Sequence, residues 1–406
     1  MKKNIIISTQ LIEIGGVEKS LLGLLDSIDY ERYNVDVFIF NHDGALKSLI
    51  NKNARLLPEL PQYAALFRPM RALVTSGNWR TAAVKIMATI KSKWKSLFYP
   101  PEKGKTSNLY HTYLIDYASR FLPAVSDKTY DVCMSFLHPN FVERRRIKAA
   151  SYWAWIHTDY SNLVIDPVAE NKMWAPFKHI IAVSEECRNA FISVLPRFEQ
   201  RVGVIENIIS YPYIMQELRD RQDPALDAYS AFSGYRILTI GRFSYAKNLE
   251  VIPEVVREML RSGCKDFKWY IIGFGGDEHL VKDLIEQYGL QDHIILLGKK
   301  KNPYSYLEQC DVYVQPSRFE GKSVSVREAQ LLKRPVIIAD YPTAPSQVRH
   351  GYDGLIVPLD TAAIAAAVMN LLGDSRLRQQ LSDNCDPHRY TNAGEIEKIY
   401  RLIHES

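Results

Sequence analysis

Four stretches carry residues whose types and spacing could do chemistry. In Ile240-Gly241-Arg242-Phe243-Ser244-Tyr245-Ala246-Lys247-Asn248, Arg242 and Lys247 leave the end of an apolar run together. Two cations so placed can clamp a diphosphate through charge-assisted hydrogen bonds; in an exposed loop the same pair is otherwise simply solvated. In Ser317-Arg318-Phe319-Glu320-Gly321-Lys322-Ser323-Val324-Ser325-Val326-Arg327-Glu328, two carboxylates flank a loop-to-helix junction, and the N–H groups of Gly321, Lys322, Ser323 and Val324 could point at an anion. A capping acid followed by an acid on an amphipathic helix has the same spacing. Gly15-Gly16 falls between a strand and a helix, where backbone amides can meet an anion, or where the chain merely turns tightly. His157 ends the apolar run Trp155-Ile156, either as a ligand-edge imidazole or as a satisfied structural group.

Ile272-Gly273-Phe274-Gly275-Gly276 also follows a strand but lacks the third glycine of a dinucleotide fingerprint, so nicotinamide binding is not expected. Its glycines instead suit a close approach of backbone to a phosphate or to a neighbouring element. Five scattered cysteines form neither a disulfide framework nor a zinc pattern, which fits a reducing compartment. The apolar start Ile5-Ile6-Ile7 stops at Ser8-Thr9-Gln10, too early for an export core.

Elements that could position these residues alternate along the whole chain. Short β-branched or aromatic runs near 4–8, 34–40, 130–136, 151–156, 179–183 and 202–205 are separated by helical periodicity, and a second series starts at Tyr235 with runs near 235–240, 267–272, 293–297, 311–314, 335–338 and 354–357. This is the pattern of parallel sheets covered by helices, and 406 residues suit two such doubly wound domains. The expected division is 1–209, a linker at 210–234 containing Pro212 and Pro224, a second domain at 235–386, and a final amphipathic segment, 387–406, with Ile396, Ile399, Tyr400 and Ile403 at helical spacing.

Charge is uneven. The chain carries +5, but 68–105 alone carries nine basic residues and one acid, Glu102, so that stretch is +8 and the remainder −3. Trp79, Val84, Ile86, Met87, Ile90, Trp94, Leu97 and Phe98 are interleaved with those cations, and 83–98 reads as a helix with an apolar stripe beside a basic face. Such a segment either contacts anionic lipid or covers the sheet as a solvated basic helix. No nucleic-acid motif accompanies it.

Taken in order, Gly15-Gly16, His157, Gly241-Arg242 with Lys247, and Glu320 with Glu328, supported by Val183-Ser184-Glu185, Ile205-Glu206-Asn207 and Asp311 to Ser317, resemble a retaining glycosyltransferase of the GT-B fold, family 4. The resemblance implies an α/β architecture of two Rossmann-like domains facing across a cleft. It implies transfer of a hexose or N-acetylhexosamine from a UDP-sugar to a lipid-linked or polysaccharide acceptor in bacterial capsule or O-antigen synthesis. By the same resemblance Arg242 and Lys247 would hold the diphosphate, Glu320 would touch the donor sugar, and Glu328 would bind the ribose. Amides of Lys322, Ser323 and Val324 would meet the distal phosphate, with Gly321 in the same loop. His157 would sit by the anomeric carbon and Gly15-Gly16 would close over the phosphate. Front-face attack needs no carboxylate pair, in contrast to glycosidases. No metal or other cofactor is implied, the UDP-sugar being a substrate.

The loop Gly321-Lys322-Ser323-Val324-Ser325 replaces the aromatic or proline of many relatives, which leaves the donor sugar open. A polyprenyl-diphosphate-linked acceptor would place the protein in the cytoplasm, peripheral at the inner face of the membrane, with 68–105 against an anionic surface. The alternatives are another GT-B activity, such as nucleotide-sugar epimerisation, and a non-catalytic sugar-nucleotide-binding scaffold.

Overall fold

The apolar runs become two parallel sheets. A computed structural model describes residues 2–13, 15–44, 46–100, 105–137, 139–219 and 223–405. Of the basic stretch, residues 101–104, with Glu102 and Lys103, lie outside the described residues. The chain divides into one unit made of 1–208 and 394–406 and a second made of 209–393.

The first unit holds β1 (Lys3–Thr9), β2 (Tyr33–Ile39), β3 (Arg55–Leu56), a small pair made of β4 (Thr106–Ser107) and β7 (Leu163–Val164), and then β5 (Thr129–Ser135), β6 (Lys148–Ile156), β8 (His179–Ala182) and β9 (Val202–Val204). Seven of these form one sheet in the order β3-β2-β1-β5-β6-β8-β9. Ile5, Ile6 and Ile7 are all buried, as are residues 151–156, because a parallel sheet is covered on both faces and its strands read as continuous apolar runs. The two-residue strands β3, β4 and β7 have no such run and are not visible in the sequence pattern.

The second unit orders its six strands β12-β11-β10-β13-β14-β15, from β10 (Tyr235–Ile240), β11 (Phe267–Ile272), β12 (Ile294–Gly298), β13 (Val312–Gln315), β14 (Val336–Ala339) and β15 (Leu355–Val357). Successive side chains on a strand point to opposite faces. Accordingly Ile237, Trp269, Ile271, Val312, Val314 and Ile337 enter one apolar core, while Leu238, Tyr270, Ile272, Tyr313, Val336 and Ile338 enter the other.

The segment 210–234, expected as a surface linker, groups with the second unit, and its described residues include two helices. Helices Tyr211–Glu217 and Pro224–Ala231 start at Ser210 and Asp223, whose side chains accept from Tyr213 N and Ala225 N. The prolines that suggest a linker occupy the first turn of each helix, where a missing N–H costs nothing. Tyr229 is wedged between the rings of Tyr270 and Tyr306, at 4.4 and 4.9 Å.

The closing helix Ile396–His404 packs on the first unit. Ile396, Ile399, Tyr400 and Ile403 lie in that unit's core, each such burial being worth about 1.5–3 kcal/mol. Tyr400 stacks on Tyr33 at 5.1 Å and accepts from Asp29 N at 2.7 Å. Among the described residues no helix is long and apolar enough to cross a membrane.

Candidate functional site

In open parallel sheets ligands sit outside the carboxyl ends of strands where the strand order reverses. In the second unit that point lies between β10 and β13, and the loops that follow these two strands carry Arg242, Lys247 and Glu320. The two loops are joined by an ion pair: Lys247 Nζ reaches both oxygens of Glu320, at 2.5 and 2.6 Å. Glu320 also accepts from Ser317 Oγ at 2.7 Å and Gln315 Nε2 at 3.3 Å, so its carboxylate is fixed from three directions. The family resemblance implies a phosphate for Lys247 and a sugar for Glu320 and does not foresee that each holds the other. Arg242 differs: it is exposed and, among the described residues, makes no hydrogen bond or ion pair.

The β10 loop owes its shape to its neighbours. Gly241 N donates to Ile272 O and Phe243 N to Phe274 O, both at 3.0 Å, so this loop runs alongside the one that follows β11. A Cβ on Gly273 would lie 1.9 Å from Gly241 O, and one on Gly275, whose φ is +155°, would lie 2.2 Å from Phe243 O. The glycine-rich stretch Gly273-Phe274-Gly275 therefore lets two backbones pack and aims the Arg242 loop. Asn248 ends that loop in the left-handed conformation, φ 55°, and its amide donates to Pro316 O at 3.0 Å. Arg318 closes the outer side by donating to Tyr245 O and Glu250 Oε1, both at 2.7 Å.

Gly321, Lys322 and Ser323 lead into the helix Val324–Leu331, and Lys322, Ser323 and Val324 are buried. Of the three amides assigned to the distal phosphate, that of Ser323 is already committed, donating to Gln347 Oε1 at 3.0 Å, while the Gln347 amide returns to Ser323 O. The sequence does not foresee this bond. The cause is Gln347, a residue that no local pattern singles out. Glu328 is buried within the helix and accepts from Tyr304 Oη at 2.8 Å. Burial, reinforced by the Glu328 carboxylate, pushes the Tyr304 phenol well up. Glu320 and Glu328 thus bond to different side chains, Lys247, Ser317 and Gln315 for the first and Tyr304 for the second.

In the first unit the strand order reverses between β1 and β5. Gly15 is the extended N-cap of the helix Gly16–Ser27, φ −157°, and a Cβ there would meet only the flexible end of Glu18. His157 lies just past β6, its Nε2–H donating to Phe136 O at 2.8 Å and its ring against Phe136 at 5.0 Å. Burial pushes the imidazole down to about 4, so it is neutral at physiological pH and Nδ1, which has no hydrogen-bond partner among the described residues, is an acceptor. In the supporting stretches Ser184 caps the helix Glu185–Val194, and Asn207 accepts from Ser20 Oγ at 2.8 Å.

Two parallel-sheet units, the second with paired cations and a fixed carboxylate at its switch point, define a chain of the GT-B fold. Residues 232–386 match the family model of glycosyl transferases group 1. Among curated relatives, the alpha-D-kanosaminyltransferase of Streptomyces kanamyceticus is 24% identical over 64% of this chain and 70% of its own length. The N-acetylgalactosamine-N,N'-diacetylbacillosaminyl-diphospho-undecaprenol 4-alpha-N-acetylgalactosaminyltransferase of Campylobacter jejuni is 29% identical over 40% of this chain and 43% of its own. The crystal structure of Anabaena HepE in complex with UDP and glucose superposes over all of both chains with TM-score 0.67 at 16% identity, which establishes the shared fold.

Proposed function

We propose that the protein is a retaining glycosyltransferase of the family 4 type, moving a hexose or N-acetylhexosamine from a UDP-sugar to a glycan or polyprenyl-diphosphate-linked acceptor in surface-polysaccharide synthesis. The observation that carries this reading is the switch-point arrangement of the second unit, an uncommitted Arg242 beside a Lys247 already anchored by Glu320. As the bond between the anomeric carbon and the diphosphate breaks, negative charge grows on the leaving group. Two cations at that place, Lys247 fixed beforehand by Glu320 and Arg242 with its donors still uncommitted, stabilise it, and in this reading they do the work of a divalent ion. Glu320 then has two duties, orienting Lys247 and offering its remaining acceptor capacity to a sugar hydroxyl. Glu328 is assigned to the ribose, and the amides of Lys322 and Val324 to the distal phosphate.

In the first unit Gly15-Gly16 is assigned to the phosphate side, and neutral His157, with its Nδ1 acceptor, to the sugar. An imidazole that carries no charge tolerates the positive charge that develops at the anomeric carbon. Retention draws support from two relatives whose names carry the alpha designation, since an α-configured sugar nucleotide giving an α-linked product keeps its configuration. In the front-face step, the acceptor oxygen bonds to the anomeric carbon on the side the diphosphate leaves, and the acceptor proton passes to the departing phosphate oxygen. A polyprenyl-linked acceptor, like that in the name of the Campylobacter relative, would place the reaction at the cytoplasmic face of a membrane.

The test is calorimetry of UDP binding. Arg242→Ala removes an exposed, unpartnered cation and should leave the fold intact while weakening UDP binding by about 10- to 100-fold, the range of a lost charge-assisted hydrogen bond. Unchanged affinity would remove the diphosphate assignment.

A further inference from the structure

The helix Trp79–Ser96 is packed in reverse. Amphipathic helices turn their bulky apolar side to the core. Here Ala82, Val84, Ala88 and Ser92 face inward, whereas Trp79, Ile86, Met87, Ile90 and Trp94 are exposed, Ile90 and Trp79 at 64%, and the stripe continues into Leu97 and Phe98. At about 100° per residue Val84, Ala88 and Ser92 lie on the side of the helix opposite Trp79, Ile86, Ile90 and Trp94. The helices before and after it add exposed Met70, Val74 and Tyr110. Among the described residues seventeen large apolar side chains are exposed, and eleven of them fall between Met70 and Phe121, so this is one patch and not the ordinary scatter of a protein surface.

The orientation is held firmly. Lys95 pairs with the buried Asp166 at 2.8 Å, Tyr113 bonds to that carboxylate too, and Lys85 Nζ donates to Arg68 O at 2.5 Å. The remaining cations ring the apolar stripe: Lys91 lies 4.2 Å over the Trp94 ring, and Arg71, Arg80 and Lys93 are exposed. From residue 60 to residue 101 the sequence has no Asp or Glu.

We propose that this face docks on an anionic lipid bilayer, the stripe from Trp79 to Phe98 seated at the boundary between headgroups and acyl chains and Arg71, Arg80, Lys91 and Lys93 meeting lipid phosphates. Partial apolar insertion combined with a basic rim supplies the two signals that stable peripheral binding needs. A second copy of the chain fits badly, since a two-fold contact would set one acid-free basic rim against another. Docking of this face does not depend on the sugar-nucleotide site.

Flotation of the full chain with vesicles tests it, comparing phosphatidylcholine alone with phosphatidylcholine containing phosphatidylglycerol. The wild type should float with the anionic vesicles and lose that binding in high salt. Lys91→Glu with Lys93→Glu should reduce it at least about tenfold by removing contacts to lipid phosphate, and separately Ile90→Ser with Trp94→Ser should do so at least about tenfold by removing inserted apolar area. All four sites are on the surface, so melting temperature and UDP affinity should stay at wild-type values, which separates this surface from the nucleotide site. Equal flotation with neutral vesicles, no flotation at all, or a dimer in sedimentation that Ile90→Ser with Trp94→Ser dissolves would overturn the proposal.

Discussion

Glu143 shows what a single buried residue contributes and how its charge depends on pH. It sits fully buried in the helix Phe141–Arg146, where Asn140, the N-cap, donates to its Oε1 at 3.0 Å. Burial pushes the carboxyl up to about 7. The folded state therefore prefers the protonated form. Stability from this preference is fully present below the unfolded carboxylate value of about 4.3 and is lost as pH rises through about 7, at roughly 1.4 kcal/mol for each pH unit between the two values. His157 acts in the opposite sense: its depressed value makes the folded state resist protonation, so stability falls as pH drops from about 6.5 towards 4. Glu143→Gln should remove the first effect, and the difference in melting temperature between variant and wild type, followed from pH 4 to 8, should grow in the variant's favour as pH rises. A flat difference would mean that the carboxyl is not held protonated. At this scale Arg242, Lys247 and Glu320 were legible because strand ends announce them. Gln347 and Tyr304 were not, because they contact Ser323 and Glu328 across 24 positions of sequence.

Among the elements, the long strands were legible because burial on both faces leaves continuous apolar runs, as in Ile5-Ile6-Ile7. The helices at 211–217 and 224–231 were hidden because their first-turn prolines look like linker residues. The periodicity of 83–98 announced an apolar face without saying which way it points; that is settled only by packing, which buries small Ala82 beside Ala65 and Leu73 and small Ala88 in the unit's main core. Glycines separate in the same way. Gly273→Ala would force Cβ into Gly241 O and move the loop that carries Arg242, so we expect a loss of ~2–4 kcal/mol in denaturant titration together with weaker UDP binding. Gly15→Ala meets only the flexible tip of Glu18 on extended backbone and should change stability by less than about 1 kcal/mol. If Gly273→Ala were as stable as the wild type, the two loops would not be packed as described.

For the molecule as a whole, a net charge of +5 conceals a body near −3 and a basic stretch near +8. Nine of the seventeen large apolar side chains exposed among the described residues lie in that same stretch, so charge and hydrophobicity mark one surface of the first unit, while the cations at the switch point mark another surface in the second. The chain also returns on itself: the closing helix fills the core of the first unit, and Glu395 accepts from Glu206 N at 2.9 Å. An apolar spacing at 396–403 could show that this helix needs a surface, though periodicity alone could not say which unit supplies it.

Glycosyl transfer from a sugar nucleotide would be seen without intermediaries as release of UDP from a panel of UDP-sugars, with and without lipid-linked glycan acceptors extracted from membranes. We expect that at least one donor releases UDP in an acceptor-dependent way, that Arg242→Ala abolishes most of this release, and that the new linkage keeps the donor's anomeric configuration. Epimerised donor formed without acceptor, or tight UDP binding with no acceptor-dependent release from any donor, would contradict the assignment.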